Sequence, residues 1–152
     1  MSLSKMSMPL KLSLFFVVAA VLLGSMYVTA KHFRHYGAKK DFKNTGLPEM
    51  SYDEALALAQ SSNKPLLVDF SAYWCPDCRR FDQNILSDAQ VREKILNDYV
   101  FVRVDTDEEE NEAIVERFRV RTIPTLLVLD TQGELKKKLN HKISPLGFIQ
   151  QL

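Results

Sequence analysis

The sequence predicts an α/β domain, a central mixed sheet with helices on both faces, preceded by one N-terminal hydrophobic helix. Three observations carry this. Leu12 to Ala30 contains no charged residue. Beyond it, short apolar strand-like runs alternate with capped helical patterns, as in a sheet covered by helices. The only two cysteines stand as Cys75-Pro76-Asp77-Cys78, between one such strand and one such helix.

The N-terminal run lacks the polar face that a soluble helix would carry. Residues 1–30 therefore read as a membrane anchor or a signal peptide. Val28-Thr29-Ala30 offers small residues for cleavage after Ala30, whereas the length of the run favours an uncleaved anchor. Lys5 and Lys11 precede it, and Lys31, Arg34, Lys39 and Lys40 come after it. The positive-inside rule alone would put the C-terminal side of the run in the cytoplasm. The signal-peptide-like layout argues the reverse. The expectation is a single-pass membrane protein with its domain in the periplasm, or a periplasmic protein released near Ala30. Residues 31–50 read as a juxtamembrane linker and 51–152 as the folded domain, expected to be a monomer.

The elements of that domain run in order. Ser51 with Glu54 forms a capping-box pattern ahead of a helix through Ala55, Leu56, Leu58 and Ala59. Ser61 to Pro65 breaks it. Leu66 to Ala72, apolar except at Asp69, suits a strand buried on both faces. Pro76 to Leu86 is a helix with Pro76 at its permitted first position. Ser87-Asp88 restarts a helix through Val91, Ile95 and Leu96. Tyr99 to Val104 is a second strand, and Asp105 to Glu110 is an acidic cap to a helix over Asn111 to Phe118. Thr125 to Leu129 is a third strand. A turn at Gly133 leads into an edge strand, Glu134 to Leu139, where Lys136, Lys137 and Lys138 discourage edge pairing. Ser144-Pro145 opens a last short helix.

Composition narrows the function. Hydrophobic residues make up 46% of the 152, an ordinary globular content. The 20 basic and 19 acidic residues leave a net charge of +1, so no nucleic-acid partner is expected. A C-x-x-C at the start of a helix reads as a redox-active dithiol. A cysteine there faces unpaired N–H groups and the positive end of the helix dipole, which lower its pKa. Cys75 is therefore the expected exposed, attacking thiol. Cys78, one turn deeper, is the resolving thiol. Pro76 stiffens the turn, and Asp77 puts a negative charge near Cys75 that should raise its pKa. Zinc binding completed by His32 and His35 is disfavoured, because these lie in the linker and no further cysteine exists. The expectation is no metal, and no cofactor beyond a Cys75–Cys78 disulfide.

Two runs carry a resemblance. Val68-Asp69-Phe70-Ser71-Ala72-Tyr73-Trp74-Cys75-Pro76-Asp77-Cys78 resembles the active-site strand and turn of the thioredoxins. Val120-Arg121-Thr122-Ile123-Pro124-Thr125-Leu126 resembles their cis-proline loop. Within that family, Cys78-Arg79-Arg80-Phe81 continuing to Leu86-Ser87-Asp88-Ala89-Gln90-Val91 is similar to the C-terminal periplasmic domain of the disulfide-reducing transporter DsbD. The chain departs from the pattern at Pro76-Asp77, at Ser71 where a second tryptophan is common, and at Phe101 where thioredoxins often place a lysine.

The resemblance implies a thioredoxin fold and a thiol–disulfide oxidoreductase, reducing protein disulfides with electrons from a membrane donor. A chaperone or assembly factor that binds clients with little turnover, for example in cytochrome maturation, is the alternative. It implies that Asp69 is a buried acid of raised pKa, taking the proton from Cys78. It further implies a cis Pro124 beside the cysteines, with the backbone of Ile123 free to pair with an extended client. Trp74 would shield one side of the dithiol, or else serve as a core aromatic.

Overall fold

At the centre of the sheet lies β1 (Leu66–Ser71), buried along its whole length. The computed structural model describes residues 8–152, with side chains at 12–30, 37 and 40–152. Lys5 lies outside the described residues, as do the side chains of Lys11, Lys31, His32, Arg34, His35 and Lys39. β2 (Val100–Asp105) pairs parallel with β1, and β3 (Thr125–Leu129) pairs antiparallel on its other side. β4 (Leu135–Leu139) pairs antiparallel with β3, giving the order β2-β1-β3-β4. This is the mixed sheet and thioredoxin fold that the sequence predicts. On β4 the three lysines are exposed at the sheet's edge.

Strand alternation divides the core into two. Leu66, Val68 and Phe70 point with Val100, Val102 and Val104 toward α2 (Tyr52–Ser62), where Ala55 and Ala59 allow close approach. Leu67 and Phe101 point the opposite way, into a cluster with Phe81, Ile85, Leu86, Val91, Ile95 and Phe148. Asp69 and Arg103 share that second face by the same parity.

The helices start where the side chains dictate. Ser51 Oγ accepts from the Glu54 N–H at 3.3 Å, and the Ser51 N–H donates to Glu54 Oε2 at 2.8 Å. The predicted capping box is thus present at α2, which ends on Asn63 at a left-handed φ of 53°. The predicted Pro76–Leu86 helix divides into α3 (Pro76–Phe81) and a π-helical turn, Asp82–Leu86. Asp88 Oδ1 accepts from the N–H groups of Gln90 and Val91 and starts α4 (Ala89–Asp98). The acidic stretch becomes a short 3-10 turn, Glu109–Asn111, ahead of α5 (Glu112–Arg117). Ser144 caps α6 (Pro145–Ile149).

Two compact units make up the chain, Met1–Tyr36 and Gly37–Leu152. In the first, Leu12–Ala30 has a mean hydropathy of 2.2 and is long and apolar enough to cross a membrane. The second begins earlier than the predicted domain start at Ser51. α1 runs Met8–Thr45, so most of the expected linker over 31–50 is helical. Phe42, Thr45 and Leu47 are buried. Thr45 Oγ1 donates to the Phe42 carbonyl at 2.6 Å and accepts from the Leu47 N–H at 3.2 Å. Gly46 turns the chain at φ 70°, where a side chain would be strained. The basic composition of this stretch concealed an apolar anchor, because Phe42 and Leu47 are isolated among polar residues.

Phe42→Ala should therefore destabilise the domain by about 3 kcal/mol, as expected for emptying a buried aromatic site. Thermal or urea unfolding of the full chain in detergent checks this. A stability equal to wild type would return residues 41–47 to the role of a tether.

Candidate active site

Cys75 is the N-cap of α3, and its Sγ accepts from the Cys78 N–H at 3.1 Å. The Cys75 N–H donates to the Ala72 carbonyl at 3.1 Å and ties the turn to the end of β1. The two cysteines form a disulfide with a Cα–Cα separation of 5.3 Å. Ala72 and Ile123 pack against the pair. Only 3% of Cys75 and 2% of Cys78 is exposed, so the expectation of an exposed Cys75 is corrected. In this oxidised form its sulfur is occupied by Cys78 and covered by Ile123, which tertiary packing brings from far along the chain.

The Ile123–Pro124 bond is cis. Pro124 is buried and Ile123 half-buried, and both lie in the loop entering β3. Trp74 is half exposed, which removes the core-aromatic alternative. Its Nε1–H donates to Asp107 Oδ2 at 2.6 Å, and Asp105 Oδ1 accepts from the Asp107 N–H. Part of the acidic stretch thus fixes the indole beside the dithiol. Pro76 is exposed at the first position of α3. Asp77 forms an ion pair with Arg80 one turn later, so its charge near Cys75 is partly neutralised.

Between β1, β2 and the turn after α3 lies a charge cluster whose second acid and cation sequence reasoning missed. Asp69, 1% exposed, stands directly across from Arg103 in the β1–β2 register. Arg103 donates from Nε and Nη2 to Asp69 Oδ2 at 3.0 and 2.5 Å. It donates from Nη1 to Asp82 Oδ2 at 3.0 Å and from Nη2 to Asp82 Oδ1. Asp82 is 2% exposed. Asp69 Oδ1 is buried without a hydrogen-bond partner among the described residues. The guanidinium sits 3.9 Å from the Phe42 ring centroid. Phe101, which alignment puts at the thioredoxin lysine, stacks on Phe42 instead, and the cation comes from two residues later on the same strand face. A neighbouring bridge joins Arg79 Nη2 to Asp41 Oδ2 at 2.8 Å.

The electrostatics reflect burial. Desolvation pushes Asp82 up to about 6 against the lowering pull of Arg103, and the charges of Asp69 and Asp41 add to the rise. Burial opposes the charge on Arg103, but Asp69 and Asp82 outweigh it and hold its pKa above the ordinary value. His141, to which the sequence assigned no role, is lowered mainly by burial and is within electrostatic reach of Asp77 and Asp69. Two signals in the sequence could have revealed the cluster. Arg103 is a lone charge inside an apolar strand, and Asp82 lies one helical turn after Cys78.

Residues 48–131 match the family model described as "Thioredoxin-like". The thiol:disulfide interchange protein DsbD of Salmonella typhi is 35% identical over 80 residues, covering 51% of this chain and 14% of that protein. The chain therefore spans only a small part of the curated relatives it matches. Among solved structures, a thioredoxin from Thermus thermophilus superposes with a TM-score of 0.62 at 28% identity, covering 69% of this chain and 83% of that one. The reduced C-terminal domain of Neisseria meningitidis DsbD superposes at 0.56 with 21% identity, covering 65% and 89%, a likeness of fold.

The charges around the dithiol can be probed in two ways. An acid whose folded pKa lies above its unfolded value favours the folded state when protonated, and that advantage is lost as pH rises through the folded pKa. Wild type should lose stability relative to Asp82→Asn as pH rises from 3.8 to about 6. Denaturation across that window checks it, and a constant gap would show that Asp82 is not raised. Separately, Arg80→Gln should raise the Cys75 thiol pKa by freeing the Asp77 charge, and Asp77→Asn should lower it. The pH dependence of Cys75 alkylation in the reduced protein decides this.

Proposed function

The chain belongs to the thioredoxin-like family, and from that premise we propose that it reduces protein disulfides through Cys75 and Cys78 in an extracytoplasmic compartment. The observation that carries the reading is the Cys75–Cys78 disulfide at the start of α3, packed against Ile123 of the cis Pro124 loop. The dithiol itself is the redox group, and the reaction calls for no other cofactor.

In the reduced protein, the Cys78 N–H and the start of the helix favour the thiolate of Cys75. That thiolate attacks a client disulfide, and one client sulfur leaves. The Cys75–client disulfide is then attacked by Cys78, whose proton passes to Asp69. The client leaves with two electrons gained, and the Cys75–Cys78 bond is restored. Ile123 and Pro124 border the cysteines, where the Ile123 backbone can pair with an extended client segment. Trp74, next in sequence to Cys75 and held by Asp107, offers an exposed aromatic surface to the client.

Returning the disulfide to the dithiol requires a donor. The likeness to DsbD supports a membrane donor of the disulfide-reductase class, and Leu12–Ala30 supports a single-pass anchor that keeps the domain beside it. Cleavage near Ala30 would release the same domain into the periplasm. The domain acts as a monomer.

Insulin reduction by the full chain with dithiothreitol as reductant should be fast in wild type and lost in Cys75→Ser. Cys78→Ser should accumulate mixed disulfides on Cys75 in cells, whose partners name the clients and the compartment. Client binding that survives removal of both cysteines, without insulin reduction by wild type, would favour the chaperone alternative.

A further inference from the structure

We propose that Arg103 is a positioning residue that selects which oxygen of Asp69 takes the Cys78 proton, an inference that rests on the disulfide-exchange reading above. The resemblance supplies an acid at Asp69 but no guanidinium. Arg103 aims two donors, Nε and Nη2, at Oδ2 of Asp69 and none at Oδ1. Oδ1 is buried and unpartnered among the described residues. Both oxygens of Asp82 take the other edge of the fork. The ring of Phe42 lies against the flat face of the guanidinium.

Each of these contacts restrains the guanidinium, and its planar fork cannot redirect one donor without moving the others. A carboxylate oxygen that accepts two charge-assisted hydrogen bonds is a poor proton acceptor. The open oxygen keeps its lone pairs for the reaction. In the resolving step the Cys78 S–H bond breaks and its proton passes to Oδ1. Cys78 Sγ bonds to Cys75 Sγ, the Cys75–client bond breaks, and the client sulfur leaves with the electron pair and is protonated by solvent. Asp82 keeps Arg103 in place from the π-helical turn, and Phe42 does so from the end of α1.

Other charges face this cluster. Asp41 and Arg79 pair beside it, Asp77 pairs with Arg80 in α3, and His141 approaches from beyond β4. None of them makes a hydrogen bond to Asp69 among those found in the described residues, so the choice of oxygen falls to Arg103.

The test uses the reduced full chain in detergent, mixed rapidly with an aromatic disulfide whose released thiolate absorbs visible light. The first thiolate released reports attack by Cys75 and the second reports resolution by Cys78. Removing Arg103 between two acids endangers folding, so the comparison is made in an Asp82→Asn background. Adding Arg103→Met should slow the second release at neutral pH about tenfold or more, part of the roughly 10²–10⁴-fold that a placed base supplies. Its pH midpoint should move upward, because a buried Asp69 without a counter-charge favours the protonated form. Arg103→Lys, which restores the charge without the fork, should recover part of the rate. An unshifted midpoint in a folded methionine variant overturns the proposal. If that variant does not fold, a second release as fast in Arg103→Lys alone as in wild type overturns it, because the lysine keeps the charge and lacks the fork. A wild type that releases no second thiolate would overturn the disulfide-exchange reading itself, and this inference with it.

Discussion

One buried cation between two buried acids constrains much of this domain. Arg103 reaches Asp69 on the neighbouring strand and Asp82 on the turn after α3. Neither acid could remain ionised there alone, because transfer of an unpaired carboxylate out of water is costly. Removing one partner from such a buried set typically costs about 3–5 kcal/mol, because it leaves the others uncompensated. The cluster also penalises errors of register. A one-residue slip of β2 against β1 would turn Arg103 toward the α2 face and leave Asp69 facing Val102 or Val104.

The dithiol inherits its position from that arrangement. β1 ends at Ser71 and delivers Cys75 through a short turn to the start of α3, while Asp69 stays below in the strand. The π-helical turn then brings Asp82 inward to meet Arg103, at a place where a regular helix was expected. Such turns are uncommon and concentrate at functional sites.

The stretch after the apolar helix is part of the same construction. Asp41 pairs with Arg79, next in sequence to Cys78, and Phe42 covers the guanidinium of Arg103. Both contacts involve residues that precede 48, where the match to the family model begins. The chain that links the apolar helix to the domain also forms one wall of the charge cluster.

Local patterns in the chain specify the elements and place the two cysteines at the start of α3. Strand runs such as Leu66–Ser71, the caps at Ser51, Asp88 and Ser144, and the edge lysines of β4 are local patterns, legible because propensity and capping act over a few residues. Cys75, Cys78, Asp69 and Pro124 were legible because they fall inside two short motifs. The remaining features come from long-range packing. It covered Cys75 with Ile123, drew Trp74 to Asp107, buried Phe42, and joined Asp69 and Asp82 through Arg103. Each of those contacts joins residues far apart in sequence. Strand register and helix packing bring them together, and no local pattern encodes either.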